Sequence, residues 1–189
     1  MPMVGQVVSP MGVAATAGAT GGTWAMQERG IEGALSDNAL ALAINDAWLQ
    51  RDPAIFRKVS TGIVGGRVLL TGTVVYPQTR EAAVEVARGV PGVVELIDEI
   101  VVREDLDFGT MASDRWITTQ LRAELTFASA VSAVNYSIDT VDSTVFLLGV
   151  ARDTHEFENV ISIARAVPGV RGVVAHVRLI SEVMAAARN

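Results

Sequence analysis

The 189-residue chain carries 15 Lys and Arg residues against 21 Asp and Glu residues, which gives a net charge of −6. This net negative charge argues against sequence-independent binding of nucleic acid, because such binding needs clustered basic residues. The sequence has no cysteine, which excludes disulfides, thiolate metal sites and a cysteine nucleophile. Half of the residues are hydrophobic, so the chain is expected to be folded rather than disordered.

The first 35 residues are predicted to form a Gly/Ala-rich tether. Residues 1–27 carry no charge, but two prolines and five glycines interrupt them, so the segment is a poor membrane span. It also lacks the basic start and the compact apolar core of a secretory signal. If the chain were a whole gene product, we would expect it to stay in the cytoplasm.

A first folded module is predicted over residues 36–103. Ser36 and Asp37 are good helix-capping residues, and apolar residues at helical spacing follow them. Gly65-Gly66 separates two β-rich runs and is typical of a hairpin turn. The predicted elements are a helix ending near Asp52, strands over 59–64 and 67–75, a helix over 78–89 and a strand over 93–102.

A second module repeats the first after an acidic linker, residues 104–112. At an offset of 77 positions, "ARGVPGVVELIDEI" at 87–100 aligns without a gap on "ARAVPGVRGVVAHV" at 164–177. A collinear set of matches at one offset indicates a duplicated unit. We therefore predict a second module over 113–181 and a tail over 182–189. Its predicted elements are a helix over 113–127, strands over 134–141 and 144–151, a helix over 154–167 and a strand over 170–180.

The element order predicts the α+β fold class, with two helices of each module on one face of a three-stranded mixed sheet. In the second module, Phe146 and Leu148 should point away from Val145 and Leu147, because successive side chains of a strand alternate between faces. Both faces of that strand are then apolar. We expect the first module to cover the second face.

Short motifs recur at the same places in both modules. They are the second strands "GRVLLTGTV" and "STVFLLGVA" and the "VPGV" before each last strand. Together they resemble the BON domain family of Gram-negative envelope proteins, and the likeness spans residues 36–180. "SDRWITTQLRAEL" at the start of the second module is similar to the dual-BON outer-membrane lipoproteins. The resemblance implies a periplasm-facing lipoprotein that associates with phospholipid and supports envelope integrity. Its acylated cysteine would precede the Gly/Ala-rich segment, so Met1 is interpreted as an added start or as a replacement of that cysteine.

The first helix of the second module has gained two aromatic and two basic residues relative to its counterpart. These are Trp116, Phe127, Arg115 and Arg122, which stand where the first module has Ala39, Gln50, Asn38 and Asn45. At 100° per residue the aromatic pair shares one stripe with Gln120 and Ala123, and the two arginines flank that stripe. An aromatic stripe edged by arginines suits a helix that lies at a bilayer interface.

Three interpretations of this stripe stay open. Trp116 and Phe127 could pack against the first module or the linker, or they could form an interface in a homo-oligomer or with an envelope protein. The family resemblance implies instead that this helix contacts an anionic phospholipid membrane. On that basis we predict Trp116, Arg115, Arg122, Phe127 and Gln120 as lipid-binding residues. Each basic residue near such a membrane contributes only about 1 kcal/mol, so a lipid tether or several copies must add to the affinity.

No catalytic residue, metal site or cofactor is predicted. His155 and His176 are the only histidines, and "HEFE" at 155–158 lacks a second histidine at zinc-binding spacing. These four residues are therefore predicted to lie on the surface at the start of a helix. "GIVGG" at 62–66 lacks the lysine and the helix of a phosphate-binding loop.

Overall fold

The computed structural model describes residues 23–104, 108–186 and 188 and contains two copies of one α+β module. The first copy comprises α1 (Thr23–Arg51), α2 (Pro53–Lys58), β1 (Val59–Val64), β2 (Arg67–Val74), α3 (Pro77–Arg88) and β3 (Glu95–Val102). The second comprises α4 (Phe108–Phe127), a 3₁₀ turn (Ala133–Asn135), β4 (Tyr136–Val141), β5 (Thr144–Ala151), α5 (Thr154–Ala166), β6 (Gly172–Leu179) and α6 (Ile180–Ala186). The predicted fold class is confirmed.

Each sheet is mixed, with the hairpin's second strand in the centre. β2 pairs antiparallel with β1 and parallel with β3, and β5 pairs in the same way with β4 and β6. A two-residue turn suffices for the antiparallel pair, whereas a parallel pair needs a crossover, which α3 and α5 provide. The predicted topology of both modules is therefore the observed one.

Both hairpin turns have the left-handed backbone of a type I′ turn. Gly65 and Gly66 have φ of 61° and 75°, and Asp142 and Ser143 have φ of 52° and 62°. Type I′ turns match the twist of the strands they connect but require positive φ at both central residues. Glycine adopts this conformation freely, whereas Asp142 and Ser143 must be held in it by their surroundings.

A carboxylate from the preceding helix holds each turn. Asp37 accepts from the backbone N–H groups of Gly65 and Gly66 at 2.7 and 2.9 Å. Asp114, its equivalent in the repeat, accepts from the turn of the second module at 2.8 Å for both N–H groups. The prediction that Asp37 caps a helix start is wrong, because its carboxylate is engaged by the turn.

Three predicted boundaries also differ from the structure. α1 begins at Thr23, within the predicted tether, and residues 1–22 of that tether lie outside the described residues. α4 begins at Phe108, within the predicted linker 104–112, and α6 occupies much of the predicted tail. Residues 23–35 contain alanine, methionine and other good helix formers and no proline, so the helix continues upstream of residue 36.

Two long helices of each module cover one face of its sheet, α1 and α3 in the first module and α4 and α5 in the second. In the first module Leu40, Ile44 and Trp48 of α1 are buried against β2 and α3. The Trp48 indole N–H donates to the Ala83 carbonyl at 3.0 Å and so joins α1 to α3. In the second module α4 contributes Ile117, Leu121 and Leu125 to the equivalent core.

The other faces of the two sheets pack against each other. Phe146 and Leu148 of β5 are buried in one apolar cluster with Val141 of β4 and Leu69 of β2. The first module therefore covers the second face of β5, as predicted. Polar contacts lie around this layer, including the hydrogen bond from the Arg67 guanidinium to the carbonyl of His176 at 3.0 Å.

Candidate functional site

The outer face of α4, formed by Trp116, Gln120, Ala123 and Phe127, lies beside the stripe that α4 buries in its core. Trp116 is 51% exposed and Phe127 is 87% exposed. The two residues are eleven positions apart, which corresponds to about 16 Å along the helix axis. This exposure contradicts the interpretation that both rings pack against the first module. Residues 105–107 of the linker lie outside the described residues.

The two arginines lie on one flank of this face and are both exposed. The Arg122 guanidinium donates to the carbonyl of Ile138 at the edge of the sheet, at 3.4 Å. The hydroxyls of Thr119 and Thr126 donate back to the carbonyls of Arg115 and Arg122, at 2.8 and 2.7 Å. Because these hydroxyls are satisfied within the helix, they would leave no unpaired donor if this flank were covered.

Gln120 lies toward the opposite flank, and its amide donates to Glu124 at 2.9 Å. Glu124 is half-buried, and it was not among the predicted site residues. The helix therefore has cations on one flank of the aromatic stripe and a carboxylate on the other. A negatively charged surface would be expected to meet the flank that carries Arg115 and Arg122.

Two further features lie beside the outer face of α4, and the sequence analysis did not predict either of them. Val134 in the 3₁₀ turn is 93% exposed, and that turn lies beside α4. Trp116 borders a shallow groove whose opposite side includes Pro168, Gly169 and Arg171. The only sequence signal for Val134 is a single apolar residue in a short loop, where helical and strand periodicity do not apply.

Glu156 in "HEFE" is buried, with 1% of its side chain exposed. Its carboxylate accepts from the backbone N–H groups of Ser132 and Arg152 at 2.7 and 2.9 Å and from the Arg152 guanidinium at 2.9 Å. Burial opposes ionisation, but these hydrogen bonds prevail and the pKa of Glu156 lies below its ordinary value. The prediction of a surface position is correct for His155, which is exposed, and wrong for Glu156.

The other histidine, His176, meets Glu99 across the two sheets at 2.8 Å. Within the ranges 23–104 and 108–186, no three His, Cys, Asp or Glu side chains form a group that could hold a metal ion. Over the same described part of the chain, no helix is both long and apolar enough to cross a membrane.

Comparison with known proteins identifies the modules. A family model described as "BON domain" matches residues 36–104 and again residues 113–181. The chain belongs to the BON-domain family. Each module is thus one BON domain, and the outer face of α4 belongs to the second.

Three relatives of the chain carry names of different kinds. The "Uncharacterized protein in gshII 5'region" of Anaplasma centrale is 36% identical over 146 residues, which are 77% of this chain and 95% of that protein. "Outer membrane lipoprotein DolP" of Haemophilus influenzae is 30% identical over 61% of this chain and 60% of its own length. "Osmotically-inducible protein Y" of Escherichia coli is 28% identical over 74% of this chain and 70% of its own length.

Proposed function

We propose that this BON-domain protein is a non-enzymatic envelope protein whose second module binds anionic phospholipid through the outer face of α4. The observation that carries the proposal is the exposure of Trp116 and Phe127 beside two arginines. In this role the protein supports the integrity of the outer membrane. The named relative DolP, an outer membrane lipoprotein, supports a location at the periplasmic side of that membrane.

The chemistry of the face matches the layers of a bilayer interface. Indole and phenyl rings are stable at the depth where headgroups meet acyl chains, and guanidinium groups pair with lipid phosphates. Because Arg115 and Arg122 share one flank, the helix can lie with that flank toward the headgroups and its rings deeper. Two arginines add only about 2 kcal/mol near an anionic surface, so binding by this face alone is weak and reversible.

A covalent anchor would complete the binding. One acyl chain gives marginal membrane binding, and an additional protein contact makes the association stable. We infer that the protein carries such a chain in the cell, since the related DolP is an outer membrane lipoprotein. The α4 face then sets which lipid the tethered protein prefers.

Flotation with liposomes tests the proposal. The chain should float with vesicles containing phosphatidylglycerol and stay behind with vesicles of phosphatidylcholine alone. Trp116→Glu and the pair Arg115→Ala/Arg122→Ala should both abolish flotation. Ala39→Glu is the matched control, because it places the same charge at the equivalent exposed position of α1. At low salt the attraction between the arginines and anionic lipid is screened least. If the unmodified chain does not float with phosphatidylglycerol vesicles even there, the proposal is wrong.

A second candidate function is assembly, with the outer face of α4 serving as a protein interface in a homo-oligomer or an envelope complex. One observation favours a protein partner somewhere on the molecule: Leu42 and Leu49 of α1 are exposed. They lie seven residues apart and hence on one side of the helix. Light scattering over a range of concentrations tests self-assembly, and a monomer at every concentration would count against it.

A further inference from the structure

A cleft between the two modules lies directly beside the outer face of α4. Its cavity volume is about 190 Å³, below the roughly 300–1,000 Å³ of sites for drug-sized ligands, so it suits a single small polar group. Arg115 belongs both to this cleft and to the basic flank of α4. The opposite wall is supplied by the first module, where α2 ends and β1 and β2 pair.

Basic side chains converge on this cleft although the chain as a whole is acidic. Arg57 and Lys58 come from the first module, Arg103 follows β3, and Arg115 comes from α4. Lys58 is the only lysine of the sequence. Among the residues that the structure describes, Arg103 is paired with Asp142 at 2.5 Å, whereas Arg57, Lys58 and Arg115 have no ion-pair partner.

The carboxylates of the cleft are already engaged. Both oxygens of Asp114 accept from the N–H groups of the hairpin turn, and Asp142 pairs with Arg103. Asp139 accepts a short hydrogen bond from the Thr71 hydroxyl at the sheet interface. The lining therefore has four basic and three acidic side chains, an excess of one positive charge. An anion in the cleft would pair with Arg57, Lys58 and Arg115, which make no ion pair among the described residues.

We propose that this cleft binds the phosphate group of an anionic phospholipid headgroup, so that both BON domains hold the lipid. This inference rests on the proposed function, because Arg115 joins the cleft to the face that would lie on the bilayer. Ser60 and Thr73 supply hydroxyl donors to the lining. The outer face of α4 then holds the protein on an anionic bilayer, and the cleft adds a site for the phosphate of one headgroup.

The first module is essential to this arrangement. At the positions equivalent to Arg57 and Lys58, the second module has Val134 and Asn135. The duplicated fold therefore carries the basic pair in only one copy, at the edge that faces α4 of the other. The packing of the two sheets, centred on Phe146 and Leu69, fixes the distance between the walls of the cleft.

The variant Arg57→Gln/Lys58→Gln tests the inference. Its binding to phosphatidylglycerol vesicles should fall roughly 30-fold, because each basic residue at an anionic surface contributes about 1 kcal/mol. The matched control is Arg88→Gln/Arg165→Gln, which removes two exposed arginines outside the cleft. An equal loss in the control would overturn the proposal, because it would show a general charge effect.

A titration with soluble ligand separates failure of this inference from failure of the proposed function. Monomeric short-chain phosphatidylglycerol, below its micelle concentration, should shift the amide NMR signals of Lys58, Gly72, Thr73 and Arg115. If the parent floats but these signals do not move, the bilayer-binding face stands and the cleft site is wrong. If inorganic phosphate moves them with the same affinity, the ligand is free phosphate and the headgroup assignment is wrong. If flotation fails while the lipid monomer still moves them, the cleft site stands without the bilayer.

Discussion

Glu99 and His176 occupy equivalent positions of the two modules, 77 residues apart, and their side chains meet at 2.8 Å. When equivalent residues of two copies touch each other, an approximate two-fold axis passes between the copies. Leu69 and Phe146 are also equivalent by the same offset and share the apolar cluster between the sheets. The two modules therefore associate as two subunits of a homodimer do, within one chain.

The buried sheet interface should make the two modules unfold together. Phe146→Asp places a charge in the apolar cluster and should destabilise the protein by at least about 3 kcal/mol, the low end for loss of a buried phenyl ring. Phe127→Asp is the matched control and should change stability by no more than about 0.5 kcal/mol, since that ring is exposed. Thermal melts with hydrogen exchange check both. A first module that melts independently and unchanged would refute the coupling.

Glu95 should make the interface sensitive to acid. The hydrogen bond from Arg67, opposed in part by burial, and the nearby charge of Arg178 lower the pKa of Glu95. A carboxylate with a lowered folded pKa stabilises the fold above the ordinary glutamate range. That stability is lost as pH falls through the lowered value. Glu95→Gln should therefore reduce stability at neutral pH and flatten this part of the acid transition, which denaturant titrations at several pH values would measure.

Asp139 should lower the stability of the protein at neutral pH, whereas Glu95 raises it. Burial raises the pKa of this carboxyl group, and the hydrogen bond from Thr71 offsets the effect only in part. The folded state then disfavours the ionised form, so the penalty is present above the raised pKa and disappears below the ordinary aspartate range. Asp139→Asn keeps an acceptor for Thr71 and should stabilise the protein at neutral pH, with no gain in strong acid. An equal gain at every pH would contradict the titration of this group.

Gly72 should tolerate no side chain. A Cβ atom there would lie 2.1 Å from the carbonyl oxygen of Lys58, and the residue has φ of +127°. Gly72→Ala should therefore cost more than the roughly 1–3 kcal/mol of backbone strain alone. Gly65→Ala is the control, because Gly65 has φ of +61° but nothing within 4 Å of its added Cβ. Comparable losses in the two variants, measured by denaturant unfolding, would show that the contact with Lys58 does not matter.

Local patterns and the repeat were enough to predict the fold. The continuous apolar run of β5 predicted that Phe146 and Leu148 need a second cover, and the offset of 77 positions indicated that both modules share one topology. The role of Asp37 could not be predicted, because its partners Gly65 and Gly66 lie 28 and 29 residues away. In the sequence, Asp37 lies in a short polar run and resembles a helix cap, because the distant backbone groups that it binds cannot be recognised there.

Only part of the candidate site could be predicted from the sequence. Comparing equivalent positions singled out Trp116 and Phe127, since a shared core does not require aromatic residues that only one copy has. The cleft could not be found in this way, because Lys58 and Arg115 come from different modules and meet only through the packing of the sheets. Glu124 was missed because it lies outside the aromatic stripe, on the flank opposite the arginines.

The depth of Trp116 in a bilayer tests the central claim most directly. In a Trp24→Phe background, Trp116 and Trp48 remain, and Trp48 is fully buried in the core of the first module. Phospholipids brominated near the headgroup end of the acyl chain should quench part of the emission in phosphatidylglycerol vesicles, and Trp116→Phe should remove that quenchable part. Emission that brominated lipid leaves unchanged, under conditions where the protein sediments with the vesicles, would show that the outer face of α4 is not the membrane-binding surface.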